Sequence, residues 1–339
     1  MLLGCAPGEC GATLADRGDR PKLSAEAILL ARPASSDPLT TQPAHSTLNI
    51  HLIDGTYELF RHHFGAPSAA DASGREVGGM RGVLASLLGM LERGVTHMAV
   101  ATDHVIESFR NDLWPGYKTG DGIDPSLLAQ FHPLEDALRA MGVTVWPMEE
   151  LEADDGLASG AAQASRDGRV ERVYICTPDK DLSQCVVGDR VVQWDRRRDE
   201  VRDEHGVKAK FGVLPASIPD YLALVGDSAD GFPGIPGWGA KSTATVLARY
   251  GHLEHIPGLP DRWDVQVRGA KRLAASLAAN RAAAFLFRDL ATLRDGAALF
   301  EDVDELEWRG PARAFRRLAE DLGTAGLWTR AARLAQSRG

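Results

Sequence analysis

Leu48-Asn49-Ile50-His51-Leu52-Ile53-Asp54-Gly55 reads as an apolar strand that ends on a carboxylate. The pattern recurs. His97-Met98-Ala99-Val100-Ala101-Thr102 ends at Asp103, and Arg172-Val173-Tyr174-Ile175-Cys176 runs into Thr177-Pro178-Asp179-Lys180-Asp181. Val143-Thr144-Val145-Trp146 and Val191-Val192-Gln193-Trp194 are further strand-like runs. Helical patterns separate them: one from Gly55 through Phe60, one from Val77 to Arg93, one from Pro125 to Met141 and one over 152–165. Strands alternating with helices predict an α/β fold with a mostly parallel sheet covered on both faces. Ligands of such sheets bind beyond the carboxyl ends of the strands. Asp54, Asp103 and Asp179 are therefore expected to gather at one edge, although they lie far apart in the chain.

Leu151-Glu152-Ala153-Asp154-Asp155-Gly156 places three acids at the start of the helix over 152–165. Acids there have an ordinary explanation, because negative side chains favour the positive end of a helix dipole. Repetition argues for more: Asp179 with Asp181, and Asp227 with Asp230 in Gly226-Asp227-Ser228-Ala229-Asp230, pair acids at short spacing. Glu152 and Asp155, three apart, share a helix face. Asp179 and Asp181, two apart in an extended turn, point to the same side. Carboxylates converging in this way repel one another unless cations sit between them. The pattern predicts a site for two divalent metals, held by hard oxygen ligands and hence most suited to Mg²⁺, with Mn²⁺ as a substitute.

The 339 residues are 44% hydrophobic and 25% charged, which describes a soluble protein with room for two cores. No apolar run is long enough to span a membrane. The four cysteines form no disulfide framework and no Cys/His set has zinc spacing, so a cytoplasmic setting is expected. Residues 1–47, rich in Ala, Pro, Ser and Thr, are expected to be a disordered leader; they lack the basic and apolar regions of a signal peptide. The net charge of −9 is uneven. Residues 206–339 carry 18 Lys and Arg against 15 Asp and Glu, a net of +3, which leaves −12 for residues 1–205. An acidic half that holds cations, joined to a mildly basic half, is compatible with a phosphate-rich substrate. From 206 to 339 the patterns are helical, with helices over 217–225, 240–250, 269–294 and 311–336.

Gly234-Ile235-Pro236-Gly237-Trp238-Gly239-Ala240-Lys241-Ser242 joins two of those helices. Ala240 between Gly239 and Lys241, and the lack of a preceding strand, exclude a nucleotide-binding P-loop. Glycines that expose backbone N–H groups at a helix N-terminus suit one backbone phosphate instead. Ile235 is expected to be a buried plug, Lys241 to supply charge and Trp238 to pack on a neighbouring helix. His62 and His63 are expected to decorate a helix, and Arg196-Arg197-Arg198 to form a solvated turn.

The ordered set Ile53-Asp54-Gly55, Thr102-Asp103, Phe109-Arg110, Tyr117-Lys118, Leu151–Asp155, Thr177–Asp181 and Gly226–Gly234 resembles the 5′ nuclease family, which includes the 5′–3′ exonuclease domain of bacterial DNA polymerases and the flap endonucleases. The resemblance runs from about Leu48 to beyond Phe285. It implies a PIN- or resolvase-like α/β domain, here 48–205, followed by an all-α helix–three-turn–helix DNA-binding domain with C-terminal helices, here 206–339. It assigns Asp54, Asp103, Glu152, Asp154 and Asp155 to one metal and Asp179, Asp181, Asp227 and Asp230 to the second. Lys118 matches the family's gateway lysine, Arg110 its neighbouring arginine and Arg61 an arginine on the helix after the first acid; these three are the expected catalytic cations. Gly234, Ile235, Gly237, Gly239, Lys241 and Ser242 match a phosphate- and K⁺-binding hairpin. The implied protein is a stand-alone, monomeric 5′–3′ exonuclease or flap endonuclease of DNA replication and repair. It would act on 5′ ends, flaps, nicks or gaps, with no membrane and no nucleotide cofactor. Asp121 stands where the family has a further basic residue, and Gly231 where asparagine is common. The first departure weakens the expected grip on a 5′ single strand. A non-catalytic DNA-structure-binding protein would have lost some of the acids, and a PIN-type ribonuclease would lack the hairpin.

Overall fold

The computed structural model describes residues 47–338; the expected leader lies outside them apart from Thr47. The first lobe opens with β1 (Leu48–Asp54), α1 (Gly55–Gly65), α2 (Gly78–Glu92) and β2 (His97–Asp103). It continues through α3 (Phe109–Leu113), α4 (Pro125–Leu128), α5 (Phe131–Ala140), β3 (Thr144–Met148), α6 (Ala153–Ala164) and β4 (Val170–Cys176). A short 3₁₀ turn over Asp181–Cys185 leads to β5 (Val191–Asp195) and β6 (Glu200–Arg202). The six strands form one sheet in the order β3-β2-β1-β4-β5-β6, parallel except for the antiparallel edge strand β6.

The register explains how the acids meet. Asp54 pairs with Ala101 on β2, two residues before that strand's end at Asp103, and Ile53 pairs with Cys176 at the end of β4, so the three strands end close together at one edge. Strands buried on both faces read as nearly continuous apolar runs, and Ile50, Leu52 and Ile53 are all fully buried. Their alternation divides the core. Ile53, Met98 and Val100 pack under α2 and α5, whereas Ile50, Leu52, Ala99 and Ala101 pack against Leu157 and Ala161 of α6.

The single helix expected from Pro125 to Met141 is two, α4 and α5. Pro133 has no N–H to donate to Ala129, so a continuous helix would lose that bond and clash there. The chain breaks instead, and Pro133 falls in the first turn of α5, where no donor is needed. Gln130 in the break is buried and ties its neighbours together, accepting the Met80 N–H at 3.1 Å and donating to the Ser126 carbonyl.

The helical lobe holds α7 (Glu204–Phe211), α8 (Ile218–Val225), α9 (Ala240–Tyr250), α10 (Ala270–Ala279) and α11 (Arg281–Ala291) around one core that includes Leu222, Phe232, Ile235, Trp238, Val246, Leu277 and Phe287. The pattern over 269–294 is thus split at Asn280, and that over 311–336 is split into α12 (Ala314–Asp321) and α13 (Ala325–Arg338) at Gly323, whose φ is +65°. These last helices do not pack with the helical lobe. Phe300, Val303 and Leu306 return to the α6 face of the sheet, and Trp308, Phe315, Leu322 and Leu327 join the core under α2 and α5. The Trp308 indole N–H donates to the Met141 carbonyl at 2.8 Å. Among the described residues, no helix is long and apolar enough to cross a membrane.

Candidate active site

At the carboxyl edge of the sheet lies a cavity of about 270 Å³, lined by Asp54, Asp103, Lys118, Glu152, Asp154 and Asp179 with Thr56, Tyr57 and Phe60. Each acid is fixed by the element that carries it. Asp54 ends β1 and caps α1, accepting the Tyr57 N–H at 2.8 Å and the Thr177 hydroxyl at 2.9 Å. Asp103 accepts the Ala153 N–H at 2.7 Å, which joins the end of β2 to the first turn of α6. Asp179 accepts the Asp181 N–H at 2.9 Å. Beside this cavity a second group forms: oxygens of Asp181, Asp227 and Asp230 lie within 4.8 Å of one another. Asp181 comes from the turn after β4, and the other two from the loop after α8.

Burial raises the cost of charge here, and the acids raise it for one another. Burial first, then Asp103 and Asp179, push Asp54 up to about 7 against the hydrogen bonds it accepts. Burial likewise raises Asp103, and raises Asp154 and Asp181 well above the carboxylate range with Asp179 adding to both. Asp230 is raised by burial as well, despite Lys118. Glu152 goes the other way: burial opposes ionisation, but Lys118 and Arg110 outweigh it. Lys118 Nζ lies 2.8 Å from Glu152 and 3.1 Å from Asp230, so one ammonium bridges the two groups. Asp181 Oδ1 and Asp227 Oδ2 are buried, and the Lys180 ammonium is the positive group that faces them. Buried carboxylate oxygens that converge within 4.8 Å, crowded by others of like charge, are the donor set that a hard divalent cation fits.

Several expected residues are placed otherwise. Asp155 is fully buried and does not line the cavity. It takes two 2.7 Å bonds from the Arg110 guanidinium, and also accepts the Glu152 and Arg294 N–H groups. Arg110, 1% exposed, spends its other donors on Glu152 and on the Leu290 and Thr292 carbonyls. Both are therefore structural: every polar atom that could reach a metal or a phosphate is already bonded inside. Arg61 also stays outside the cavity and pairs with buried Glu58, which Arg196 holds from the other side at 3.1 Å. Arg196 thus leaves the expected solvated turn, whereas Arg197 and Arg198 are exposed. His62 contacts Glu58 and Arg61, and His63 contacts Gln130.

The gateway segment between β2 and α4 presses against the second group. Trp114 donates to the Gly231 carbonyl at 3.0 Å and the Lys118 N–H to the Asp230 carbonyl at 3.1 Å. A Cβ at Gly231 would stand 1.9 Å from the Gly116 oxygen, and its φ is +85°. Glycine is required at that position by the approach of the gateway. Beside the acids, Lys180 and Tyr117 escaped the sequence reading: Lys180 pairs with Asp181 and Asp227, and the Tyr117 hydroxyl donates to Glu152 at 3.2 Å. Both lie inside quoted motifs; what the sequence lacked was their direction.

In the hairpin, Ile235 is buried and its N–H donates to Leu224. Gly234 has φ +73°, and a Cβ there would fall 2.4 Å from the Gly226 nitrogen, so hairpin and acid loop interlock through two glycines. Trp238 packs inward as expected, with its indole N–H on the Leu273 carbonyl and its ring beside Trp263. Ser242 is taken up by Gly239, donating to its carbonyl at 2.9 Å. Gly237, Gly239, Ala240, Lys241 and Ser242 line an open concavity, joined by Arg268, a cation the sequence reading did not include.

A sheet with acids at its carboxyl edge and a hairpin-bearing helical lobe beside it is the arrangement of a resolvase-like domain followed by a SAM-type helical fold. Residues 49–212 match the 5′–3′ exonuclease N-terminal resolvase-like domain, and residues 213–314 match the 5′–3′ exonuclease C-terminal SAM fold. The chain belongs to the 5′–3′ exonuclease family. It is 35% identical over 272 residues to DNA polymerase I of Pseudomonas aeruginosa, covering 77% of this chain and 29% of that one. It is 32% identical over 209 residues to a 5′–3′ exonuclease of Aquifex aeolicus, covering 61% and 71% respectively. The chain spans under a third of the length of the polymerase relatives. Its fold is shared with a bacteriophage T5 flap endonuclease solved as a pseudo-enzyme–product complex with DNA and metal ions, at a TM-score of 0.56 and 17% identity over 85% of this chain and 99% of that one.

Two outcomes follow from the geometry. Replacing Arg110 by Met leaves the buried Asp155 carboxyl without its ion-pair partner, which costs about 3–5 kcal/mol. Arg110→Lys does not recover it, because one ammonium cannot make the paired bonds; urea unfolding of both variants checks this. The second concerns pH. Asp54 has an ordinary value of 3.8 and about 7 in the fold, so between these the folded protein keeps a proton that the unfolded chain has released. Measured against Asp54→Asn, which removes this group's contribution, wild-type stability in EDTA should fall as pH rises from ~4 to ~7, and Mg²⁺ should flatten that difference in thermal melts.

Proposed function

We propose that the chain is a divalent-metal-dependent 5′–3′ nuclease that hydrolyses DNA phosphodiester bonds near 5′ ends or junctions, with two Mg²⁺ ions in its site. The observation that carries this reading is the meeting of acids from three strand ends and a helix start at one cavity, with a second acidic group beside it. Asp54, Asp103 and Asp154 would hold one ion together with Asp179, expected at the second ion but lining this cavity instead, with Glu152 acting through Lys118 or water. Asp181, Asp227 and Asp230 would hold the other. Bound there, a pair of such ions supplies Lewis-acid activation of water and stabilises the charge that develops on phosphate.

The protein's own groups set the rest. Lys118, held well above its ordinary value because Glu152 and Asp230 outweigh its burial, keeps its proton and presents a fixed positive charge at the cavity. That charge offsets negative charge on the phosphoryl oxygens as the bond breaks. Tyr57 and Phe60 form an aromatic wall against which a terminal nucleotide can lie. The hairpin from Gly234 to Ser242 would hold duplex by its backbone, with Lys241 and Arg268 on the phosphates and K⁺ among the carbonyls. Recognition would then follow DNA structure rather than base sequence. The 5′–3′ polarity rests on family membership. A monomer carries every group named here.

Cleavage of end-labelled flap, nicked, gapped and blunt duplexes with and without Mg²⁺ tests the proposal; no Mg²⁺-dependent cleavage of any of them would refute it. Asp179→Asn should abolish cleavage and leave duplex binding nearly unchanged, since Asn can still accept the Asp181 N–H. Wild-type cleavage by that variant would remove Asp179 from the site. Lys241→Ala should weaken duplex binding and lower the slope of log affinity against log salt by about one. An unchanged slope would take the hairpin out of the interface.

A further inference from the structure

Lys180 stands between Asp179 and Asp181 in the turn after β4. Its side chain folds back so that Nζ pairs with Asp227 and lies 3.5 Å from Asp181 Oδ1. These are two of the three carboxylates whose oxygens converge beside the cavity. Asp181 Oδ1 and Asp227 Oδ2, each on a side chain more than nine-tenths buried, face this ammonium as their positive partner. The lysine ammonium is thus the charge that makes this pair of acids tolerable. The partners differ in freedom. The Lys180 side chain is 35% exposed, against 7% for Asp181 and 4% for Asp227, so the acids are fixed while the lysine has a route to solvent. Lys118 is placed differently, because it also pairs with Glu152 and belongs to both groups.

We propose that Lys180 is an internal competitor for the second divalent ion, its ammonium and the ion excluding one another at Asp181, Asp227 and Asp230. This rests on the reading that those three carboxylates take a divalent cation, and adds how the site is regulated. Lys180 weakens the ion chiefly at this group, where its ammonium sits, and reaches the Asp54 group only at longer range through Asp179, so the two positions load unequally. By reciprocity, the ion weakens the hold on Lys180 by the same factor. Released, Lys180 stays tethered to the rim between two ligand-bearing residues, where its charge faces incoming phosphate. Lysine suits this exchange: a point charge on a flexible stem can leave, whereas an arginine fork would bind two carboxylates at once and stay.

The test is Mn²⁺ binding to the full chain, read by the electron paramagnetic resonance of free Mn²⁺ and by calorimetry, for wild type, Lys180→Met and Lys180→Arg. Wild type should show a tighter and a weaker position, and Asp227→Asn should lose the weaker one. In Lys180→Met the weaker position should tighten about fivefold or more while the tighter one stays put. Lys180→Arg should leave the weaker position as weak as in wild type or weaker. Thermal melts add a readout that a merely structural lysine would not move. Lys180→Met should melt below wild type in EDTA, and the gap should close in Mn²⁺. Lys180→Gln replaces Lys180→Met if the latter does not fold. An unchanged weaker position in the neutral variant, an equal tightening in Lys180→Arg, or a single position in wild type and neutral variant alike overturns the proposal alone. Absence of any Mn²⁺ binding overturns the metal reading with it.

Discussion

Carboxylates buried within a few ångströms of one another cannot all remain ionised unless positive charge lies between them. The surroundings of the cavity are arranged around that constraint. The first turn of α6 points a backbone N–H at Asp103, and Thr177 and the first turn of α1 do the same for Asp54 with a hydroxyl and an N–H. Lys118 bridges Glu152 and Asp230, and Lys180 closes on Asp181 and Asp227. These donors do not neutralise the site, since Asp54, Asp103, Asp154, Asp181 and Asp230 all stay raised. What remains is a standing demand for cations, written into the backbone by the ends of β1, β2 and β4.

One acid answers the same constraint in the opposite way. Asp155 is sealed beneath the cavity, and Arg110 neutralises it with two parallel bonds. The same guanidinium reaches the carbonyls of Leu290 and Thr292 at the end of α11. A single residue of the gateway therefore pins helix α6 to the helical lobe. It thereby ties the helix start that carries Glu152 and Asp154 to the end of α11.

Much of this was legible in the sequence, for a definite reason. Strands such as Leu48–Asp54 and His97–Asp103 are apolar on both faces and stop abruptly at an acid, so their ends could be aligned before any coordinates were known. Direction was harder to read. Spacing puts Glu152 and Asp155 on one helix face, yet only the position of Arg110, over forty residues away, decides that Asp155 turns inward. Arg61 fails for a similar reason: buried Glu58 on its own helix captures it. The pattern over 125–141 is continuous in its apolar spacing, and only Pro133 marks that it divides into two helices. The return of α12 and α13 to the first lobe was invisible, because amphipathic helices state that they need a partner and not which one.

That return leaves a helical lobe bounded by α7 and α11, and its place in the site is more than support. Asp227 and Asp230 follow α8, whose Leu222 and Leu224 lie in the core of that lobe, whereas Asp181 follows β4 of the sheet. The second acidic group therefore exists only where the lobes meet. Its geometry is set by the contacts that dock them: Trp114 on Gly231, Lys118 on Asp230 and Arg110 on the end of α11. All three come from the gateway segment between β2 and α4. The hairpin sits on the same acid loop through the interlocked glycines Gly226 and Gly234. The hairpin and the loop that carries Asp227 and Asp230 are thus packed directly on one another, with no other element between them at Gly226 and Gly234.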